Sequence, residues 1–196
     1  DKVGAILLAY YPGMEGGDAV AEVLFGDVNP SGKLPFVMAE KENDLPDMDW
    51  NADEVVYQYC HGYTLLAEEG KKPMYPFGFG LSYTTFRLSD VGAQREGERI
   101  LASVILENTG KREGAEVLQM YIGAEESAVW RPRYVLKDFR KICLAPGEKR
   151  QVFLSCTLQD MAYYNEEKKA FVIEDIPYQV YVGTSSAATD LIKIKV

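Results

Sequence analysis

Residues 3–10 (VGAILLAY) are apolar nearly throughout, the pattern of a short strand in a parallel sheet covered on both faces. Tyr11-Pro12-Gly13 turns the chain. Residues 15–25 then follow a helical period, with Ala19, Val20, Val23 and Leu24 along one face and Gly26 as the terminator. Asn29-Pro30-Ser31-Gly32 signals a turn, and residues 34–38 read as another strand. Strand, helix and strand at this spacing predict the tail of an α/β layer structure. Two or three elements cannot close such a domain, so this half is expected to be incomplete. Residues 39–51 are acidic and turn-rich, which predicts a surface loop. Residues 55–66 recover strand character around Tyr57, Tyr59 and Tyr63.

Beyond Phe86 the grammar changes. Residues 100–107 alternate Ala102, Val104 and Leu106 against Leu101, Ser103 and Ile105, and Asn108-Thr109-Gly110 closes the run in a turn. Residues 116–122, 151–157, 178–183 and 190–196 read as further short strands. In the last, Ile192, Ile194 and Val196 point one way, Lys193 and Lys195 the other. Ala145-Pro146-Gly147-Glu148 and Asn165-Glu166-Glu167-Lys168 supply turns. About seven short strands with no helix between them describe an immunoglobulin-like β-sandwich. The reading is therefore an α/β fragment over residues 1–85 and an all-β sandwich over residues 86–196.

Residues 73–86 (PMYPFGFGLSYTTF) join the two. The run is too aromatic for a solvated linker and too broken by Pro and Gly for a helix or regular strand. Phe77, Phe79 and Tyr83 are expected to bury at the junction, with Gly78 and Gly80 permitting the backbone path.

Composition narrows the function classes. A hydrophobic content of 47% and a charged content of 26% belong to an ordinary globular protein with a sizeable core. The net charge of −9 repels phosphate backbones and anionic lipid, which disfavours nucleic acid and membrane partners. Cys60, Cys143 and Cys156 are odd in number and show no framework spacing, so they are expected to be reduced and mostly packed; reduced thiols favour a cytoplasmic setting. Cys156 continues the face of Val152 and Leu154, which predicts burial. The chain opens at Asp1 and enters an apolar stretch almost at once, as an excised or processed piece would.

No motif for chemistry survives inspection. Gly13-Met14-Glu15-Gly16-Gly17 stands where phosphate loops live, but the dinucleotide spacing is absent and Glu15 repels an anion. It reads as a tight turn whose acid suits a helix N-terminus. Gly26 to Lys33 fails as a P-loop because five residues separate the glycines and Leu34 replaces the magnesium-holding hydroxyl. Gly80-Leu81-Ser82-Tyr83-Thr84 lacks the closing glycine of a nucleophile elbow, so Ser82 reads as a turn residue. His61, the sole histidine, is open to an acid/base role but reads as structural. A zinc site lacks ligands, and Asp44, Asp47, Asp49, Asp53 and Glu54 lack EF-hand spacing. No cofactor or metal is implied.

The run 73–86 nevertheless resembles the P-F-G-x-G-L-S-Y-T-x-F segment of family three glycoside hydrolases, where it joins an α/β sandwich domain to a fibronectin type III-like domain. Pro12-Gly13-Met14-Glu15-Gly16-Gly17-Asp18-Ala19, Val23-Leu24-Phe25-Gly26 and Asn29-Pro30-Ser31-Gly32-Lys33-Leu34-Pro35 resemble the same family in the same order. So do Asn108-Thr109-Gly110, residues 114–121, Leu136-Lys137 with Phe139, residues 144–148, Asp160 to Tyr164, and residues 178–186. Two places depart. Tyr57-Gln58-Tyr59 and Cys60-His61-Gly62-Tyr63-Thr64 stand where the family has Y-x-E-G and V-G-Y-R. Asp138 replaces a frequent Gly before Phe139 and is expected to be a surface-turn change.

The resemblance implies a retaining exo-acting β-glycosidase, most often a β-glucosidase. Its Asp nucleophile would come from a separate (β/α)₈ barrel and its acid/base from the upstream α/β domain. Neither motif lies in these residues, so no catalytic residue is assigned. The implied partners are the barrel, the rest of the α/β domain and an oligosaccharide or glycoside substrate. The alternative is a non-catalytic carbohydrate-binding or protein-interaction sandwich, with Trp50 and Trp130 as stacking candidates and Trp130-Arg131-Pro132-Arg133 in a loop.

Overall fold

A computed structural model describes residues 3–49, 51–56 and 58–196. The expected helix forms as α1 (Gly16–Phe25), with Gly26 in the left-handed conformation as its C-cap. Its apolar side finds little cover: Leu24 and Phe25 are exposed and Val20 and Val23 only half-buried. Residues 3–10 form no strand, and Val3, Ile6, Leu7, Leu8 and Tyr10 lie exposed. An all-apolar strand needs pairing strands and two covering layers, and these residues meet neither here.

The expected strand at 34–38 is also absent. The segment runs beside the connector, with Leu34 N donating to Phe79 O, Gly78 N to Leu34 O and Met38 N to Tyr75 O, each at 2.8 Å. Pro35 cannot donate, and only an isolated Met38–Tyr75 bridge survives. Among the described residues of 55–66 none lies in a strand either; Gly62–Glu68 is a helix, α2, with Leu66 buried. Tyr57 lies outside the described residues.

The remaining chain folds into two antiparallel sheets. One has the order β1–β2–β5, from β1 (Phe86–Glu96), β2 (Arg99–Asn108) and β5 (Lys149–Thr157). The other has the order β4–β3–β8–β9, from β3 (Gly114–Gly123), β4 (Val135–Leu144), β8 (Gln179–Gly183) and β9 (Leu191–Lys195). A hairpin of β6 (Tyr163–Asn165) and β7 (Ala170–Val172) stands apart.

Ile100, Ala102, Val104 and Leu106 of β2 and Val152, Leu154 and Cys156 of β5 face Leu118, Met120, Ile122, Val180 and Val182 from the other sheet, closing one core. The period-two alternation read from the sequence is what makes this face. Cys156 is buried as its place in that alternation required, and burial pushes its thiol up to about 11, with Asp160 adding to the shift. Cys60 is half-buried and Cys143 is exposed, the latter because its β4 position faces away from the core, so the thiols are mostly but not all packed.

Asp138 is likewise not in a surface turn. It lies within β4, where its carboxylate accepts from the Ser155 amide at 2.9 Å. That bond caps a donor on the open edge of β5 and links the two sheets.

Candidate functional site

β3 differs from an ordinary sandwich strand because both its faces are buried from Gln119 to Gly123. Leu118, Met120 and Ile122 fill the core, while Gln119 and Tyr121 point outward, beneath the connector and α2. The site is therefore a junction.

Gly78 makes the approach possible. Its φ of +79° lies in the left-handed region, and a Cβ there would stand 2.3 Å from Gln119 Oε1. Gln119 then holds the connector in place. Its Nε2 donates to Gly78 O at 3.3 Å and to Thr184 O at 2.6 Å, and its Oε1 accepts from Tyr121 Oη. A buried amide with its donors and acceptor engaged fixes geometry, whereas a half-satisfied one destabilises.

Around this amide lies an aromatic cluster. The Tyr63 ring, from α2, stacks on Phe77 at 4.9 Å and meets Tyr121 edge-on at 5.9 Å. Tyr134 sits 5.6 Å from Tyr121 and 5.1 Å from Tyr181. The polar ends are placed too: Tyr63 Oη accepts from Leu136 N at 3.0 Å, and Tyr134 Oη donates to Ser186 O at 2.8 Å. Burial raises the pKa of Tyr63, Tyr121 and Tyr134 above the usual phenol value. These phenols are hydrogen-bonding wedges within the junction.

None of the three connector aromatics expected to bury is fully buried; Phe77, half-buried, packs against this cluster. Phe79 is half-buried beside Tyr75, 5.3 Å away. Tyr83 is half-exposed because its hydroxyl reaches out to Val23 O at 2.8 Å.

A polar clasp ties the first half to the sandwich. Asn29 Nδ2 donates to Glu113 O at 2.9 Å, while its Oδ1 accepts from Ser82 Oγ at 3.0 Å and Tyr83 N at 2.8 Å. Lys33 pairs with Glu116 at the start of β3, and both are largely buried. Arg112 donates to Gly26 O at the C-terminus of α1 and lies over the Tyr83 ring, placing a cation where the helix dipole favours it.

The remaining candidates make contacts within the chain. Glu15 sits at the N-cap of α1, and Gly16 packs on Pro12, so the glycine run is a turn. Ser82 Oγ is engaged by Asn29, and His61 precedes α2 with Nδ1 3.3 Å from Gln58 O. Asp44 accepts from Lys41 N and pairs with Lys71, and Asp49 accepts from Asn51 N. Among the described residues no group of three or more His, Cys, Asp or Glu is placed to hold a metal ion. Trp50 lies outside the described residues.

Trp130 is exposed on the loop between β3 and β4, while its neighbour Arg131 is committed to the fold. Arg131 bonds Glu174 at 2.8 Å, Met161 O at 2.6 Å and Ser127 Oγ at 3.0 Å. Burial opposes ionisation of Glu174, but Ser127, the Ala128 amide and Arg131 outweigh it and hold the carboxyl below its usual range.

Sequence reasoning missed Glu116, Gln119, Tyr134 and Arg112. A signal existed for the first two: an acid and an amide within the otherwise apolar run Ala115-Glu116-Val117-Leu118-Gln119-Met120-Tyr121. Polar residues in a buried strand require partners.

Comparison with known proteins matches residues 1–83 to the model of the glycosyl hydrolase family 3 C-terminal domain and residues 116–186 to a fibronectin type III-like domain. A periplasmic beta-glucosidase of Salmonella typhimurium is 40% identical, over 95% of this chain and 25% of its own length. A beta-glucosidase of Kluyveromyces marxianus is 40% identical over 100% of this chain and 24% of its own. The solved structure of beta-glucosidase 3B from Thermotoga neapolitana, in complex with alpha-D-glucose, superposes with a TM-score of 0.87 at 37% identity. That superposition covers 96% of this chain and 27% of the other. The chain thus spans about a quarter of the length of the relatives it matches.

Proposed function

The chain belongs to glycosyl hydrolase family 3 as its C-terminal part, and we propose from that membership that it is the scaffold segment of a retaining exo-β-glycosidase of β-glucosidase type. In this reading the substrate is a glycoside or oligosaccharide with a terminal β-linked sugar. The partners are the barrel and the rest of the α/β domain, which supply the nucleophile and the acid/base. Residues 1–85 complete the α/β domain and residues 86–196 form the fibronectin type III-like sandwich.

One observation carries the reading. The first half leaves the apolar side chains of residues 3–10 and the end of α1 uncovered, while the junction locks that half onto a closed sandwich. A retaining pair must hold two carboxyl groups about 5 Å apart across the scissile bond. Misplacement by about 1 Å costs roughly 10²-fold in rate, so a rigid mount for the acid/base domain is a catalytic requirement. The test compares hydrolysis of an aryl β-glucoside by the whole protein and by residues 1–196 alone. Turnover by the whole protein only supports the reading. Turnover by the isolated chain that one Asp or Glu substitution abolishes refutes it.

A further inference from the structure

We propose that Trp130 and Tyr59 form a stacking site for a β-glucan chain, an inference that rests on the glycosidase reading above. Trp130 is 61% exposed and Tyr59 76% exposed, and their rings stand 6.2 Å apart at 79°, an aromatic corner open to solvent.

The mount is rigid. Arg131, next to Trp130, is held by Glu174, Ser127 and the Met161 carbonyl, and Glu174 also takes the Ala128 amide. A ring on a fixed loop loses little conformational entropy when it binds, which favours affinity.

Beside the ring lies a concavity of about 570 Å³, whose lining includes Glu68, Glu125, Ser127 and Arg133. That volume falls within the range of small-ligand sites. Its walls offer the Glu68 and Glu125 carboxylates and the Arg133 guanidinium, which suit sugar hydroxyls and disfavour an apolar protein surface, while the Ser127 hydroxyl is taken up by Glu174 and Arg131. Glu125 is paired with Lys193 only at the exposed surface, a contact that gives way to a ligand at little cost. Aromatic face for sugar C–H groups and charged wall for hydroxyls together fit a pyranose chain. The net charge of −9 argues against the other stacking ligand, single-stranded nucleic acid.

The experiment uses the full-length protein in gels cast with a soluble mixed-linkage β-glucan, with aryl β-glucoside turnover measured on the same samples. Wild type is retarded by the glucan. W130A loses about five- to tenfold in apparent affinity, W130F keeps most of it, and both hydrolyse the aryl glucoside at the wild-type rate. Equal retardation of wild type and W130A, or no retardation of wild type, overturns the site. Trp130-dependent retardation in a protein with no glycosidase turnover leaves the site standing and removes the glycosidase reading instead.

Discussion

Lys33 Nζ stands 2.6 Å from Glu116 Oε1 and also donates to Gly80 O at 2.9 Å, so one ammonium joins the Asn29-Pro30-Ser31-Gly32 turn, the connector and β3. Glu116 also accepts from the Val117 amide at 2.7 Å, which leaves the carboxylate well satisfied. A buried pair of this kind adds little over an apolar substitute, but losing one partner strands the other. K33M is therefore expected to destabilise the protein by about 3 kcal/mol, and K33M combined with E116L to recover most of that loss. Thermal melts of the wild type and the two variants measure it. An equal or greater loss in the double variant would show that the contact acts in some other way.

Gly78→Ala places a methyl group against Gln119 at a left-handed backbone position. The strain and the displaced amide together are expected to cost about 2–4 kcal/mol. Urea unfolding gives the number. A loss below about 0.5 kcal/mol would mean that the connector does not rest on β3 as described.

Phe77→Ala removes the half-buried ring stacked on Tyr63 and should cost about 2–3 kcal/mol. Tyr83→Phe removes one exposed hydrogen bond to Val23 O and should cost about 1 kcal/mol or less. The comparison tests which aromatic of the connector holds the junction. A larger effect at Tyr83 would contradict the assignment.

Glu174 carries a pH signature. Its folded pKa lies below the unfolded value of roughly 4.3, so its ionised form stabilises the fold above that pH and the contribution fades as pH falls through the folded pKa. Glu174→Gln is expected to be less stable than wild type at pH 7, with the gap closing below about pH 4. Melting temperatures across that range decide it; a gap that stays constant with pH would assign the loss to packing.

The sandwich was legible because β2, β5 and β9 alternate cleanly, and alternation is a local signal. β1 was not read because a bulge between Ser89 and Gly92 breaks its period. β4 was missed because it is an edge strand whose Lys137, Asp138, Arg140 and Lys141 hide a run that closes on buried Leu144. The connector was legible from its Pro, Gly and aromatic content, but its partners were not. Gln119, Glu116 and Tyr134 meet it only through tertiary pairing, which no local period encodes. Residues 3–10 and 34–38 misled for opposite reasons: the first lacks partners here, and the second is broken by Pro35.

In the proposed reading these residues position catalytic carboxylates that lie outside residues 1–196. The direct measurement treats the full-length protein with a 2-deoxy-2-fluoro-β-glucoside, which arrests a retaining glycosidase as a covalent glycosyl ester, and maps the adduct by peptide mass spectrometry. The expected result is a single ester on a carboxylate outside residues 1–196. An ester on any of the 30 Asp and Glu residues within this chain would contradict the account.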